Sequence, residues 1–323
     1  MKAIRVDRHG GPEVLELVEM PDPTPGEGEL VVRLAAAGLN FIDVYNRMGL
    51  YPTETPFVPG QEGAGTVVEV GPGVEGWSPG DRVAWTSVLG SYAELVRVPA
   101  RMAVRVPDGV DLETAAAVML QGMTAHYLVT DTFPLGSGHR CLIHAAAGGV
   151  GLLLVQLAKR KGAEVVATAG GPEKVELARD AGADHVIDYR SDDFAEASRR
   201  LTGSDKPFDV VYDGVGKAVF MASLDLIRMR GMMVQFGNAS GPVDPIAPLE
   251  LGRRGSLFLT RPSLQHYIAT REELERRASD LFSWIESGEL AVRIGHRLPL
   301  AEAATAHRML EGRETTGKVL LLP

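Results

Sequence analysis

The sequence predicts an α/β protein that joins a β-rich part to a doubly wound parallel sheet, and three observations carry that reading. Up to about residue 110 the chain runs as short apolar stretches punctuated by turn residues. From Arg140 the pattern changes to a regular alternation of strand and helix. At the first strand-to-helix turn of that alternation stands a run of small residues, Ala145-Ala146-Ala147-Gly148-Gly149-Val150-Gly151.

The elements follow in order. Residues 29–34 and 64–70 read as strands, the second closed by Gly71-Pro72-Gly73. Residues 112–128, with Ala115, Ala116, Ala117, Val118 and Leu120, read as a helix. Residues 141–144 form a short apolar strand, 151–161 a helix and 164–169 the next strand. Pro172 at its start and Gly182 just past its end bracket a helix over 173–181. A strand over 185–189 precedes a helix opened by Ser191, Asp192 and Asp193 and closed by Arg199, Arg200 and Gly203, charges that suit the helix dipole. A strand at 208–212, a helix over 218–229 and strands at 232–236 and 257–260 continue the alternation. After Arg261-Pro262, helices over 271–287 and 301–311 and a strand at 318–322 break it and return to the first part. The expected division is 1–123 with 264–323 for the β-rich domain and 124–263 for a dinucleotide-binding domain.

Composition narrows the function. The 323 residues suffice for about two domains. A net charge of −9, from 33 Lys+Arg against 42 Asp+Glu, disfavours a general nucleic-acid or anionic-lipid surface. The single cysteine, Cys141, excludes intrachain disulfides, iron–sulfur clusters and multi-cysteine zinc lobes, and suits a reducing compartment. No run approaches the roughly 20 apolar residues of a membrane span, and Met1-Lys2-Ala3-Ile4-Arg5 has no apolar signal core. A cytoplasmic location is therefore expected.

The small-residue run suits a dinucleotide. In a strand-to-helix turn, small side chains let backbone N–H groups approach a pyrophosphate at the positive helix end. In a GxGxxG reading Ala146 takes the first glycine position and Gly148 and Gly151 the other two. The next strand ends Thr168-Ala169-Gly170-Gly171, without the carboxylate that usually meets the ribose of NAD. Lys174 follows within a turn, and Tyr189-Arg190 ends the third strand. Cationic and hydroxyl donors suit a 2′-phosphate, so the expected cofactor is NADPH. The plainer alternative makes Lys174 and Arg190 ordinary solvated charges.

Five stretches resemble the medium-chain dehydrogenase/reductase superfamily, and within it the zinc-independent quinone oxidoreductases that include zeta-crystallin. They are His9-Gly10-Gly11-Pro12-Glu13-Val14-Leu15, Gly38-Leu39-Asn40-Phe41-Ile42-Asp43, Gly60-Gln61-Glu62-Gly63-Ala64-Gly65, the Ala145 to Gly151 run and Gly317-Lys318-Val319-Leu320. The resemblance implies a GroES-like β domain closed by the C-terminal tail, with a Rossmann domain between its two segments. It also implies a homodimer paired through the edge strand at 256–260. Where the alcohol dehydrogenase branch carries a zinc-binding cysteine and a histidine, this chain has Asn40 and Gln61, and the segment 85–92 is too short for a structural zinc lobe. No metal is expected, and Glu62 reads as a structural carboxylate.

Without a Lewis acid, reduction of an electron-poor acceptor remains accessible to a nicotinamide hydride, given orientation and oxyanion donors. The resemblance thus implies NADPH-dependent quinone reduction. Reduction of enone or alkenal double bonds is the second reading, and an NADPH-binding structural or regulatory role is the third. Candidate donors are Asn40, Tyr45, Tyr51 and Arg261. Asn40 also reads as a turn residue, the two tyrosines as packed rings and Arg261 as a dimer contact.

The cofactor contacts are implied by resemblance. Phe41, Ile42, Asp43, Val44, Tyr45 and Tyr127 would border the nicotinamide, and Gly148, Gly149, Val150 and Gly151 would meet the pyrophosphate. Gly170, Gly171, Pro172, Glu173, Lys174 and Tyr189 would surround the adenosine phosphate. Gly214, with Phe236, Gly237, Asn238 and Ala239, then Leu259, Thr260 and Arg261, and finally Arg313, would complete the lining.

Overall fold

The strand Glu29–Leu39 organises the first of the two units into which the chain divides. In the computed structural model, which describes residues Met1–Pro323 throughout, that unit comprises Met1–Met123 and Ile268–Pro323, and the second is Thr124–Tyr267. The main sheet of the first unit runs in the order Ile294–Pro299, Lys318–Leu322, Glu29–Leu39, Glu62–Val70, Arg82–Thr86, Ala103–Arg105, with Leu95–Pro99 also pairing Glu29–Leu39. The C-terminal strand lies antiparallel to Glu29–Leu39, with Leu320 opposite Gly38 and Leu321 opposite Ala37. Leu30, Val32, Trp85, Tyr92 and Leu321 belong to one buried core.

The β-rich reading overlooked the helix Phe41–Met48. Its start is written in a capping box, in which Asn40 and Asp43 serve each other's backbone groups, and its end in Gly49, which adopts the left-handed φ of 76°. The short strands Lys2–Arg5, Glu16–Glu19 and Ile294–Pro299 also escaped the pattern; none is buried along its whole length.

The second unit is a six-stranded parallel sheet ordered His185–Asp188, Glu164–Ala169, Arg140–Ile143, Phe208–Asp213, Ile227–Gln235, Phe258–Thr260. This is the doubly wound order, and the strand order reverses beside Arg140–Ile143. One expected element changes: only Phe220–Leu224 is helical in the stretch 218–229, because Ile227 already pairs Phe208 as strand. The return to the first unit comes at Ile268 rather than at residue 264. Tyr267 stays in the second unit, stacked on Tyr127 with ring centroids 4.1 Å apart and accepting a hydrogen bond from Thr132 Oγ1 at 3.0 Å.

Candidate active site

In the parallel-sheet unit, the turn after Arg140–Ile143 is built for close approach. Gly148 caps the helix Gly149–Arg160 without any side-chain hydrogen bond. The first N–H groups of that helix, on Gly149, Val150 and Gly151, therefore face the helix end without intrahelical partners. Ala145 is held at the left-handed φ of 51°. A Cβ on Gly151 would stand 2.7 Å from Ala146 Cα, so only glycine lets helix and loop meet. Below the turn, His144 bonds Thr168 Oγ1 at 3.0 Å and Ser223 Oγ at 2.8 Å, and burial pushes its pKa down to about 3. The turn thus rests on a neutral, fixed imidazole.

The next turn carries an unanticipated residue, Asp188. Its Oδ1 accepts from Gly171 N at 2.9 Å and Arg190 N at 3.0 Å, and these backbone donors hold the carboxyl below its usual range. The turn so fixed lays Tyr189 across Gly170 and Arg190 across Gly171, where an added Cβ would meet Arg190 Nη1 at 3.1 Å. Lys174 stands in the first turn of Pro172–Asp180. Glycine backbone, a phenol and two cations thus share one end of the sheet, a donor set that fits a phosphate monoester. Pro172 opens the same helix, and Glu173 supplies the acidic residue of its first turn.

A third group gathers beyond Phe208–Asp213. Asp213 Oδ1 accepts from Val215 N at 2.7 Å and Gly216 N at 2.9 Å, and burial raises its pKa to about 6. A Cβ on Gly214 would lie 3.0 Å from the Phe236 ring, so Gly214 presents backbone under an aromatic face. Arg261 Nη1 donates to Phe236 O at 2.9 Å and Pro262 O at 3.2 Å, which ties Arg261 to the loop holding Gly237, Asn238 and Ala239. Leu259 and Thr260 lie in the adjacent edge strand, and Tyr127 is buried against Tyr267.

In the first unit, Asn40 heads a buried polar network. Its Nδ2 donates to Gly38 O at 3.1 Å and Glu62 Oε2 at 2.8 Å. Its Oδ1 accepts from Lys318 Nζ at 3.0 Å and Gln121 Nε2 at 3.1 Å. Both side-chain N–H groups of Asn40 are committed inside the protein, so the expected oxyanion donor is instead a fixed structural amide. Lys318 Nζ also bonds Glu62 Oε2, and Glu62 Oε1 accepts from Leu120 N at 2.6 Å. Burial pulls the Lys318 pKa down, against the carboxylates of Glu62 and Asp43.

Asp43 is buried and faces inward. Its Oδ2 accepts from Asn40 N at 2.9 Å and Tyr92 OH at 3.2 Å, and burial drives its pKa up to about 7. Tyr92 OH meets His307 Nε2 at 3.3 Å, and His307 Nδ1 meets Arg47 Nη1 at 3.1 Å. Arg47 in turn makes two bonds to Glu311, at 3.0 and 2.9 Å. Burial, reinforced by Arg47, lowers the His307 pKa to about 3, so His307 is neutral. With the proton on Nε2, the donors run one way from Arg47 to Asp43.

Tyr45 lies on the helix Phe41–Met48 and is buried beside Val44. Its ring packs edge-on to Tyr51 at 5.2 Å and tilted to Phe41 at 6.0 Å. Phe41 and Ile42 are half-buried, and Arg313 sits at the left-handed φ of 59° after the helix Ala303–Glu311. Sequence reasoning gave no role to Lys318, Gln121, Tyr92 or His307. The available signal was Lys318, a lysine opening the otherwise apolar strand Lys318–Leu322. No group of three His, Cys, Asp or Glu side chains is placed to hold a metal; Asn40 Nδ2 bonds Glu62 Oε2 directly, and the Lys318 ammonium bonds both residues. These residues do not fit a catalytic zinc.

Two family models match, an alcohol dehydrogenase GroES-like domain over residues 26–108 and a zinc-binding dehydrogenase domain over 149–284. The quinone oxidoreductase of Pseudomonas aeruginosa is 47% identical, over 100% of this chain and 99% of that protein. A 2-haloacrylate reductase from Burkholderia is 43% identical, over 98% of each. Among solved structures, Escherichia coli quinone oxidoreductase complexed with NADPH superposes with a TM-score of 0.97 at 44% identity, and covers 100% of both chains. A mycobacterial protein complexed with NADPH gives 0.96 at 49%, again over 100% of both. With both domains matched and identity near one half from end to end, the chain belongs to the quinone oxidoreductases of the medium-chain dehydrogenase/reductase superfamily.

Proposed function

We propose that this chain is an NADPH-dependent quinone oxidoreductase. The observation that carries the reading is the turn at Gly170 and Gly171, where Lys174, Tyr189 and Arg190 offer donors to a phosphate and Asp188 Oδ1 is taken by the backbone N–H groups of Gly171 and Arg190. The solved relatives complexed with NADPH support it. The N-terminus of Gly149–Arg160 holds the pyrophosphate, and Gly214, Phe236 to Ala239 and Arg261 complete the cofactor face. Bound NADPH supplies a hydride. The protein orients the acceptor, keeps water away and offers hydrogen-bond donors where negative charge develops on the quinone oxygen. Tyr51 and Tyr45 are the donors we assign, and Asn40 acts by holding the start of its helix.

The edge strand Phe258–Thr260 has a neighbour on one side only. Phe258, Met229 and Leu249 are 58%, 66% and 60% exposed, a surface suited to pairing with a second copy. A homodimer follows. Cys141 is a buried free thiol, in keeping with the cytoplasm.

A second reading, reduction of an activated carbon–carbon double bond, is favoured by the relative named 2-haloacrylate reductase. NADPH oxidation with a panel of quinones and enones, followed by electron spin resonance, separates the readings. Quinone turnover supports the first, and a semiquinone signal marks single-electron transfer. Turnover of enones alone supports the second. Binding of NADPH with no oxidation would point to a structural or regulatory protein.

A further inference from the structure

One side-chain oxygen joins two turns at the edge of the parallel sheet. His185–Asp188 is the edge strand and pairs Glu164–Ala169 in parallel, with Asp188 opposite Ala169, so the turns that follow the two strands lie side by side. Tyr189 N donates to Ala169 O at 3.1 Å. Beyond that bond Asp188 takes over: its Oδ1 accepts from Gly171 N in the first turn, at 2.9 Å, and from Arg190 N in the second, at 3.0 Å. Its backbone oxygen accepts from Ser191 N at 3.1 Å and Asp192 N at 3.0 Å, so the same residue also closes the second turn.

The side chains offered to a phosphate have little else to fix them. Gly170 and Gly171 are consecutive glycines, the freest backbone a chain can have, and Gly171 sits at the left-handed φ of 94°. Gly171 caps Pro172–Asp180 without any side-chain hydrogen bond. Tyr189 is 42% exposed and Arg190 is exposed. A Cβ on Gly170 would stand 2.5 Å from Tyr189 Cζ, so the ring lies directly on the turn that Asp188 ties down. Bonds from backbone N–H to an ionised carboxylate are among the stronger hydrogen bonds. The same carboxylate repels a phosphate dianion brought into the turn. Geometry and charge therefore predict opposite results when Asp188 is replaced. Asparagine separates them, since its Oδ1 still accepts both bonds without the charge.

We propose that Asp188 is a positioning residue that sets the preference for NADPH: it ties Gly171 to Arg190 and so holds Tyr189 and Arg190 over the glycines where the 2′-phosphate is to bind. This role rests on the NADPH reading of the site.

The test is the Kd of NADPH and of NADH, measured by isothermal titration calorimetry on the full chain without quinone. Asp188→Ala is expected to raise Kd for NADPH about tenfold and to leave that for NADH within about twofold. Asp188→Asn should bind NADPH at or below the wild-type Kd. In a Tyr189→Phe/Arg190→Ala background, Asp188→Ala should add less than about a twofold loss, because the groups it positions are already gone. An unaltered preference in Asp188→Ala, an equal loss for both cofactors, a weakened Asp188→Asn, or a full further loss in the double background would each overturn the role. Hydrogen exchange of the wild type needs no variant to fold: the Gly171 and Arg190 amides should be protected, and rapid exchange at either would overturn the tie. A wild type with equal Kd for the two cofactors would defeat the NADPH reading and this role with it. A wild type that prefers NADPH, beside an Asp188→Ala that does so equally, would defeat this role alone.

Discussion

Lys318 Nζ reaches Asn40 Oδ1 at 3.0 Å because Gly38, between them, has no side chain. A methyl group there would stand 2.7 Å from Nζ, and the lysine, buried and bonded to Glu62, has nowhere to retreat. Gly38→Ala is expected to lose about 1–3 kcal/mol, the usual penalty for overpacking a filled interior. Urea titration of the variant checks it, and an unchanged midpoint would show that the ammonium can move.

Asp43 gives the first unit a pH dependence whose sign is fixed by burial. Its folded pKa, about 7, lies above the ordinary 3.8, so the folded state binds the proton more tightly. The associated stability is fully present below about pH 4 and is lost as pH rises through 7, at no more than about 1.4 kcal/mol per pH unit. Asp43→Asn keeps the shape without the titration. The difference in unfolding free energy between variant and wild type should rise in the variant's favour between pH 4 and 7 and then level off. A difference that is flat over that range would contradict a buried, proton-binding Asp43.

Lys174 is the cation in the first turn of Pro172–Asp180. A charge-assisted bond to the 2′-phosphate of NADPH is worth about 1.5–3 kcal/mol, so Lys174→Ala should raise KM for NADPH about 10- to 150-fold and leave that for NADH nearly unchanged. Parallel steady-state assays with the two cofactors check it. An equal loss for both would make Lys174 a surface charge.

Tyr51 packs edge-on to Tyr45 at 5.2 Å, which leaves the ring in place when its hydroxyl is removed. Tyr51→Phe should lower kcat/KM for quinone about tenfold or more if the hydroxyl stabilises developing charge, without altering KM for NADPH. An unchanged kcat/KM would remove Tyr51 from the chemistry.

The parallel sheet was legible because its signals are local. The strand Glu164–Ala169 stands where its apolar run places it, and the phosphate loop is a contiguous run of small residues. The helix Phe41–Met48 was not, since a capping box inside a turn-rich stretch resembles one more turn. The buried network was less legible still, because Lys318 and Asn40 lie 278 positions apart and meet only when the last strand pairs Glu29–Leu39. Asp43 and Asn40 read as candidate contacts for ligand from their neighbours in sequence; their side chains turn inward because Tyr92, Glu62 and Lys318 supply partners there. Asp188 was passed over because a carboxylate at a strand end gains meaning only once two backbone N–H groups are seen to converge on it.

The most direct test is the initial rate of benzoquinone reduction by the wild type with NADPH and with NADH at matched concentrations. A kcat/KM at least about tenfold higher with NADPH is the predicted result, given the donors at Gly170, Lys174, Tyr189 and Arg190. Equal values for the two cofactors, or no benzoquinone turnover with either, would contradict an NADPH-dependent quinone oxidoreductase.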